Sequence, residues 1–309
     1  MLKVDRLTKR YGNLTAAREV TFSLQPGDVF GFIGSNGAGK TTTIRMIATL
    51  LEPTSGTASL NGADIMRSPM DVRRMIGYMP DFFGLYDDVK VWEYLDFFAT
   101  LYSVPVNQRK GVIDNVLELT DLTVKRDAFV QTLSRGMQQR LGLARCLVHD
   151  PALLLLDEPA SGLDPRARAE LKELIAELGR MGKIVIVSSH ILPELADFCN
   201  TVGIIERGQM LAFGPVKEIV KGFQSTRAIE FRMLGNTAEA VALVSDLPHV
   251  QNARVSGEEA VQLDFSGDHD QQAELLAILL QRGHRVFDFR EHHVDLEDVF
   301  LKVTTGAVQ

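Results

Sequence analysis

The fold is decided by residues 29–42, which read VFGFIGSNGAGKTT. Val29–Ile33 is a short apolar run that predicts a buried strand, and a helix is predicted from Lys40 to Leu51. The turn between them matches the pattern G-x-x-x-x-G-K-[ST] without a gap, in the strand–turn–helix context that this pattern requires. Glycines let backbone N–H groups converge on phosphate oxygens, and the helix start adds the positive end of its dipole. The stretch therefore predicts a phosphate-binding loop in an α/β protein.

Two side chains of this loop carry specific chemistry. Lys40 is expected to place its charge on the β- and γ-phosphates of a nucleotide, and Thr41 to bind Mg²⁺ through its hydroxyl. The nucleotide-binding residues predicted here are Gly34, Ser35, Asn36, Gly37, Ala38, Gly39, Lys40, Thr41 and Thr42.

A second strand ends in two carboxylates. The apolar run Ala152–Leu156 is followed at once by Asp157 and Glu158. At a strand end the chain bends, so both side chains can reach a site beside the phosphate loop. Asp157 suits a Mg²⁺ ligand, and Glu158 suits a catalytic base that orients and deprotonates an attacking water.

A third strand ends in a histidine. Ile184–Val187 is a continuous apolar run, the pattern of a strand buried on both faces of a mostly parallel sheet, and Ser188, Ser189 and His190 follow it. The carboxyl ends of parallel strands meet at one edge of the sheet, where ligands bind. His190 is therefore predicted to contact the γ-phosphate as a second catalytic residue.

Composition limits the class of protein. The chain has 309 residues, 45% hydrophobic and 24% charged, which predicts two globular domains and excludes a disordered chain. Its net charge of −7 argues against nucleic acid as a partner. Two distant cysteines exclude a disulfide framework. No run approaches the roughly 18 apolar residues of a membrane span, and no signal peptide precedes the first strand, so a cytoplasmic location is expected.

The chain is expected to divide near residue 222. Residues 1–222 read as α/β, with a helix-rich insertion over about 89–133 that carries Trp92, Tyr94, Phe97 and Phe98. These aromatic residues suit a core and a contact surface equally well. Residues 223–309 show the order βαββαβ, which predicts a small ferredoxin-like α+β domain. Leu296–Val303 is predicted to be a closing helix.

The segment Leu133–Arg140, LSRGMQQR, gives the family resemblance. It resembles the ABC signature, whose usual form is LSGGQ, and Ser161–Asp164 resembles the D-loop of the same family. With the phosphate loop, the acidic pair and the histidine, residues 2 to about 220 resemble the ATP-binding subunit of ABC transporters. The resemblance implies a P-loop ATPase core that takes ATP and Mg²⁺, with Tyr11 stacked on adenine.

The resemblance also implies an assembly. Two such domains form a head-to-tail homodimer in which Ser134 and the N–H of Gly136 contact the γ-phosphate of the other chain's ATP. The C-terminal 85 or so residues resemble the accessory domain of ABC-2-type drug exporters. The implied partners are ABC-2-type transmembrane permease subunits, whose coupling helix would contact the aromatic helical insertion. The ATPase would then be peripheral on the inner face of the cell membrane.

The chain departs from the family pattern in two places. After Ile76–Pro80, where the family usually has a glutamine that touches Mg²⁺, this chain has Asp81, which is expected to act as a metal ligand. In the signature segment, Arg135 replaces the first glycine and Met137 replaces the glutamine. Arg135 could offset the charge of Asp81 from the opposite chain.

The expected function is ATP hydrolysis that powers a membrane exporter through ATP-driven dimerisation. Two other classes stay open. One is a soluble ABC ATPase that acts on ribosomes or nucleic acid, although such proteins usually carry two ATPase domains or a long coiled coil. The other is a regulatory module that switches on nucleotide binding without turnover, for which Asp81 leaves room.

Overall fold

The chain folds into two compact units, Met1–Val216 and Lys217–Gln309. This computed structural model describes residues 1–82, 84, 86, 88–190, 195, 197–222, 227–257 and 259–292. The division between the units falls a few residues before the boundary that the sequence predicts at 222.

The first unit alternates strands and helices along the chain. Its strands are β1 (Leu2–Tyr11), β2 (Leu14–Leu24), β3 (Val29–Ile33), β4 (Ser55–Leu60), β5 (Ala63–Asp64), β6 (Ile76–Met79), β7 (Leu153–Asp157), β8 (Ile184–Ser189), β9 (Thr201–Glu206) and β10 (Gln209–Pro215). Its described helices are α1 (Lys40–Ile47), α2 (Pro69–Arg74), α3 (Val91–Leu101), α4 (Val106–Leu119), α5 (Arg135–Leu147) and α6 (Pro165–Arg180). The next helix, α7 (Val216–Gly222), crosses the division.

The central sheet positions the site. Its strand order is β10-β9-β3-β8-β7-β6, and every pair is parallel except β9 with β10. Every residue of β3, β7 and β8 is buried, as their continuous apolar runs predict. Because β8 lies between β3 and β7, the residues that follow these three strands meet at one edge of the sheet.

A second sheet closes the core around α1. It is antiparallel, in the order β2-β1-β4-β5, and its apolar side chains form one core with those of α1 and the central sheet. The rings of Phe22 and Phe30 stack between the two sheets with centroids 5.0 Å apart. Helix α1 ends at Ile47 rather than at the predicted Leu51, because the chain turns at Thr49, where φ is +60°.

The region predicted to be a helical insertion contains α3, α4 and two short 3₁₀ helices, Thr123–Lys125 and Val130–Thr132. Its two ends meet in an antiparallel bridge between Lys90 and Phe129. The aromatic residues of α3 divide between core and surface, since Tyr94 is 1% exposed and Phe97 is 46% exposed.

The second unit has the predicted βαββαβ order. Its elements are β11 (Arg227–Leu234), α8 (Thr237–Ser245), β12 (Val250–Val255), β13 (Ala260–Phe265), α9 (His269–Gln281) and β14 (Arg285–His292). They form an antiparallel sheet of order β12-β13-β11-β14, with alternate residues such as Ile229, Phe231 and Met233 in the core. The predicted closing helix, Leu296–Val303, lies outside the described residues.

Candidate active site

The phosphate loop connects the end of β3 to the start of α1, and two of its glycines are sterically required. A Cβ at Gly34 would lie 2.4 Å from the carbonyl oxygen of Ile205. At Gly39, φ is +108° and a Cβ would lie 2.3 Å from the carbonyl oxygen of Ala16. No side chain caps α1, so its first-turn N–H groups, from Lys40 onward, are left for a ligand.

Lys40 is a buried cation at this helix start. Its side chain is 6% exposed, and its Nζ donates hydrogen bonds to the carbonyl oxygens of Gly34 at 2.6 Å and Ser35 at 3.2 Å. The Nζ also lies 3.6 Å from Oε1 of Glu158. Burial lowers the pKa of Lys40, and the carboxylate of Glu158 opposes that shift. A buried ammonium group of this kind favours an anionic ligand in the adjoining cleft.

Asp157 lies at the end of β7 and is 2% exposed. Its Oδ1 accepts hydrogen bonds from Oγ1 of Thr41 at 3.1 Å and from Oγ of Ser188 at 2.7 Å. A carboxylate and a hydroxyl that already meet across the cleft floor form the oxygen donor set that Mg²⁺ prefers. The residues at this position therefore fit a magnesium ion.

Glu158 directly follows the strand, in a backbone conformation with φ of +51°. Its N–H donates to Oγ of Ser188 at 3.0 Å. Its Oε2 lies 2.9 Å from Nδ1 of His190, and its side chain is 16% exposed. The carboxylate is thus held between Lys40 and His190 at the cleft, where it can accept a proton from a bound water.

Most of the predicted site residues converge on one cleft of about 380 Å³. Its volume is in the range of known small-molecule sites. Ala16 and Ser161 also line it. The predicted residues in its lining are Ser35, Asn36, Gly37, Ala38, Gly39, Lys40, Thr41, Thr42, Asp81, Glu158 and His190.

Five predicted site residues do not line this cleft: Gly34 and Asp157, which lie beside it as described above, and Tyr11, Ser134 and Gly136. Tyr11 ends β1 with its ring half exposed, and Nζ of Lys9 lies 5.4 Å from the ring centroid. Ser134 is the N-cap of α5, where its Oγ accepts a hydrogen bond from the N–H of Met137 at 3.4 Å. Gly136, in the first turn of α5, packs closely on Ala167.

The first unit matches the profile of the ABC transporter family over residues 17–161. Relatives match nearly the full chain. A bacitracin transport ATP-binding protein of Bacillus licheniformis is 34% identical, over 99% of this chain and 98% of that protein. A linearmycin resistance ATP-binding protein of Bacillus subtilis is 31% identical over 98% of each. Nod factor export ATP-binding protein I of Paraburkholderia xenovorans is 35% identical, over 100% of this chain and 98% of that protein.

The chain belongs to the ATP-binding subunits of ABC transporters. The ABC ATPase therefore binds and hydrolyses ATP, and it acts as a transporter subunit. Of the helices that the structure describes, none is long and apolar enough to cross a membrane.

Solved structures share the fold of the ABC ATPase. An ATP binding subunit of an ABC transporter is 31% identical with a TM-score of 0.65, covering 72% of this chain and 93% of that chain. The cbiO1 protein of Clostridium perfringens, part of the ABC transporter complex cbiONQ, is 26% identical with a TM-score of 0.66. That match covers 80% of this chain and 95% of that chain.

Two further side chains belong to the site of the ABC ATPase, although the sequence analysis gave them no role. The buried hydroxyl of Ser188 contacts both Asp157 and Glu158. The second is Glu206, at the end of β9, whose Oε2 accepts a hydrogen bond from Oγ of Ser35 at 3.0 Å. Both residues lie at carboxyl ends of central strands, and this position is the sequence signal that could have identified them.

Proposed function

We propose that the ABC ATPase powers export across a membrane by hydrolysing ATP, as a peripheral subunit on the inner, cytoplasmic face. The observation that carries the proposal is the convergence of Lys40, Glu158 and His190 in one cleft, in a chain whose relatives match it nearly end to end. Two of those relatives are named for bacitracin transport and Nod factor export. The match includes the βαββαβ unit, which supports ABC-2-type permease subunits as the membrane partners.

The phosphate loop would bind the phosphates of ATP. Its backbone N–H groups and the start of α1 supply dipoles, and Lys40 supplies a full charge that is already desolvated. The half-exposed ring of Tyr11 offers a face for adenine. Together they favour a nucleotide rather than a lone phosphate as the ligand.

Thr41 and Asp157 would hold a Mg²⁺ ion, with Asp81 as a further oxygen donor from the same cleft. Bound there, the ion would neutralise charge on the β- and γ-phosphates. The buried hydrogen bond from Ser188 keeps Asp157 oriented for this task.

Glu158 would act as the general base. Phosphate oxygens compete for Lys40, which lies 3.6 Å from Oε1 of Glu158, and so release the carboxylate to take a proton from the attacking water. The water oxygen then bonds to the γ-phosphorus as the bond to the bridging oxygen breaks. His190, 2.9 Å from Oε2, keeps the carboxylate at the cleft during this step.

The position of the signature segment supports a head-to-tail homodimer. Ser134 is exposed at the N-terminus of α5 and does not line the cleft of its own chain. A helix start with Ser134 and Gly136 is a second phosphate-binding element. We assign it to the γ-phosphate of the partner's ATP, so that nucleotide closes the dimer and hydrolysis opens it.

An exposed aromatic pair supports a contact with the permease. The rings of Tyr86 and Phe97 meet edge to face with centroids 5.7 Å apart, and both residues are about half exposed. Exposed apolar surface next to a helix suits an amphipathic helix of a partner. Tyr94 belongs to the core beneath them.

A soluble ABC ATPase that acts on ribosomes or nucleic acid fits this chain less well. The net charge of −7 gives no basic footprint for a phosphate backbone. A regulatory module without turnover would need an incomplete site, whereas Lys40, Asp157, Glu158 and His190 all meet here.

Glu158→Gln tests the catalytic and dimer parts of the proposal. The variant should bind ATP, hydrolyse it at least about 100-fold more slowly, the scale of a lost general base, and elute as a dimer with ATP and Mg²⁺. Glu177→Gln, which removes a surface carboxylate paired with Arg180, is the matched control and should behave as wild type. An unchanged turnover, or a monomer at saturating ATP, would contradict the proposal.

Co-expression with a candidate ABC-2-type permease subunit tests the exporter part. We expect the two to copurify from detergent and the ATPase activity to rise in proteoliposomes. Replacing Phe97 by Ser should reduce copurification while basal ATPase activity stays unchanged. Copurification that is indifferent to this change would contradict the assigned contact.

A further inference from the structure

Arg135 connects the signature segment to the D-loop of its own chain. It is the first residue of α5, and its Nη2 donates a hydrogen bond to the carbonyl oxygen of Ser161 at 3.1 Å. The guanidinium lies against Gly162, because a Cβ at that glycine would be only 2.6 Å from Cζ of Arg135. The family pattern usually has a glycine at this position. A glycine has no side chain, so it could not make this contact.

Ser161 in turn is hydrogen-bonded to the catalytic turn. Its N–H donates to the carbonyl oxygen of Glu158 at 3.1 Å, and Ser161 itself lines the ATP cleft. Glu158 has φ of +51°, a conformation that persists only where surrounding contacts hold it. Arg135 therefore lies two hydrogen bonds away from the backbone of the general base.

The contact differs from the ion pairs nearby. Arg140, one and a half turns further along α5, pairs with the carboxylates of Asp121 and Glu170. Arg135 donates instead to a main-chain oxygen. This contact therefore depends on the position of the D-loop backbone and not on a charged side chain.

We propose that Arg135 is a positioning residue that couples the two ATP sites of the dimer. The inference rests on the proposed head-to-tail assembly, in which Ser134 meets the partner's nucleotide while Glu158 serves the cleft of its own chain. When ATP occupies the partner's site, it fixes the start of α5. Arg135 then holds Ser161 in place, and Ser161 holds the backbone of Glu158. Each site then turns over best when the other is filled.

The test measures ATPase rate against ATP concentration in the full-length protein. In Arg135→Gly we expect kcat to fall about fivefold, the scale of one lost hydrogen bond, with KM changed less and the Hill coefficient reduced toward 1. Arg166→Ala, which removes an exposed arginine from a surface pair with Glu170, should keep the wild-type curve.

Gly162→Ala provides a second way to displace the Arg135 side chain, since the added Cβ would occupy the place of the guanidinium. It should lower kcat and the Hill coefficient as Arg135→Gly does, and the double variant should be no worse than either single variant. Additive losses would mean that the two changes act independently, and they would overturn the contact between Arg135 and Gly162 as part of the coupling route.

Two outcomes separate this inference from the proposed function. If the wild type is cooperative and Arg135→Gly is equally cooperative, the coupling through Arg135 is overturned, whereas the proposed dimer is not. A wild type that hydrolyses ATP with a Hill coefficient of 1 and stays monomeric with ATP would overturn the dimer, and the coupling with it.

Discussion

Oγ of Ser188 lies 2.7 Å from Oδ1 of Asp157 and accepts a hydrogen bond from the N–H of Glu158 at 3.0 Å. One fully buried hydroxyl therefore orients both acidic residues of the site. Because Ser188 is in β8, opposite Asp157 at the end of β7, the parallel pairing of these strands sets the geometry.

Ser188→Ala should leave a buried carboxylate oxygen and a backbone N–H without this partner. A hydrogen bond to a charged group contributes about 1.5–3 kcal/mol, so we expect kcat/KM for MgATP to fall about 10- to 100-fold. Steady-state kinetics over a range of Mg²⁺ concentrations measure the loss. Thr120→Val, which removes a buried hydroxyl that donates to the carbonyl oxygen of Val116 at the end of α4, is the control for general destabilisation. Equal losses in both variants would contradict the specific role of Ser188.

Lys40→Ala should abolish ATP-dependent function. The phosphates of ATP lose the buried ammonium group that would bind them. The carbonyl oxygens of Gly34 and Ser35 each lose one hydrogen-bond donor, which is a smaller change. Equilibrium binding of a fluorescent ATP analogue and phosphate release measure the effect. Lys183→Ala, which removes a lysine paired with Asp150 far from the cleft, should retain activity. Near-normal turnover in Lys40→Ala would refute the phosphate-loop assignment.

Sequence patterns were sufficient where the relevant contacts are local. The strand, loop and helix around Lys40 follow from apolar runs and glycine spacing. The apolar runs also predict β7 and β8, although β8 continues two residues beyond Val187, to Ser189. The order of the second unit follows from alternation of period two in its strands.

The remaining features depend on contacts between distant segments. Ser188 and Asp157 are 31 residues apart, and no spacing rule pairs them. Tyr94 and Phe97 are both aromatic residues of α3, and only the direction in which α3 packs makes one core and the other surface. Arg135 contacts Ser161 because the tertiary fold places the start of α5 beside the D-loop, and the local sequence does not show this.

His149 should make the ABC ATPase sensitive to acid. Its Nε2 donates to the carbonyl oxygen of Ile76 at 3.0 Å, its ring stacks on Tyr102, and its Nδ1 is buried without a hydrogen-bond partner among the described residues. Burial lowers the pKa of His149 below its usual 6.5; Ile76 and Asp150 oppose the shift, and Lys183 adds to it.

Because the unfolded chain takes up this proton more readily than the folded chain, the stabilising effect is complete above pH 6.5. It declines as the pH falls through 6.5 toward the lowered value. We expect Tm to drop between pH 7 and pH 5, and His149→Phe to lower Tm at pH 7 but to flatten its pH dependence. His284→Gln is the control. A variant with the wild-type pH slope would show that other groups cause the acid effect.

Asp81→Gln carries the most information about the cleft. Asp81 lines the same cleft as Lys40 and Glu158, so its negative charge adds to those of the phosphates and of the general base when ATP is bound. Glutamine would keep an oxygen donor for Mg²⁺ and remove the charge. We expect ATP binding to persist and basal turnover of the isolated subunit to rise about two- to fivefold, the scale of a solvent-screened charge interaction. Stimulation by the membrane partner should weaken.

Asp88→Asn is the matched control for Asp81→Gln, because it removes a charge from the same segment at a residue that pairs with Gln131 outside the cleft. Turnover of both variants and of wild type, with and without the membrane partner, completes the experiment. Unchanged basal activity in Asp81→Gln would mean that the carboxylate is too far from the phosphates to matter. A lower activity would instead mean that Asp81 is a working metal ligand whose charge is needed, and the two results differ in their dependence on Mg²⁺ concentration.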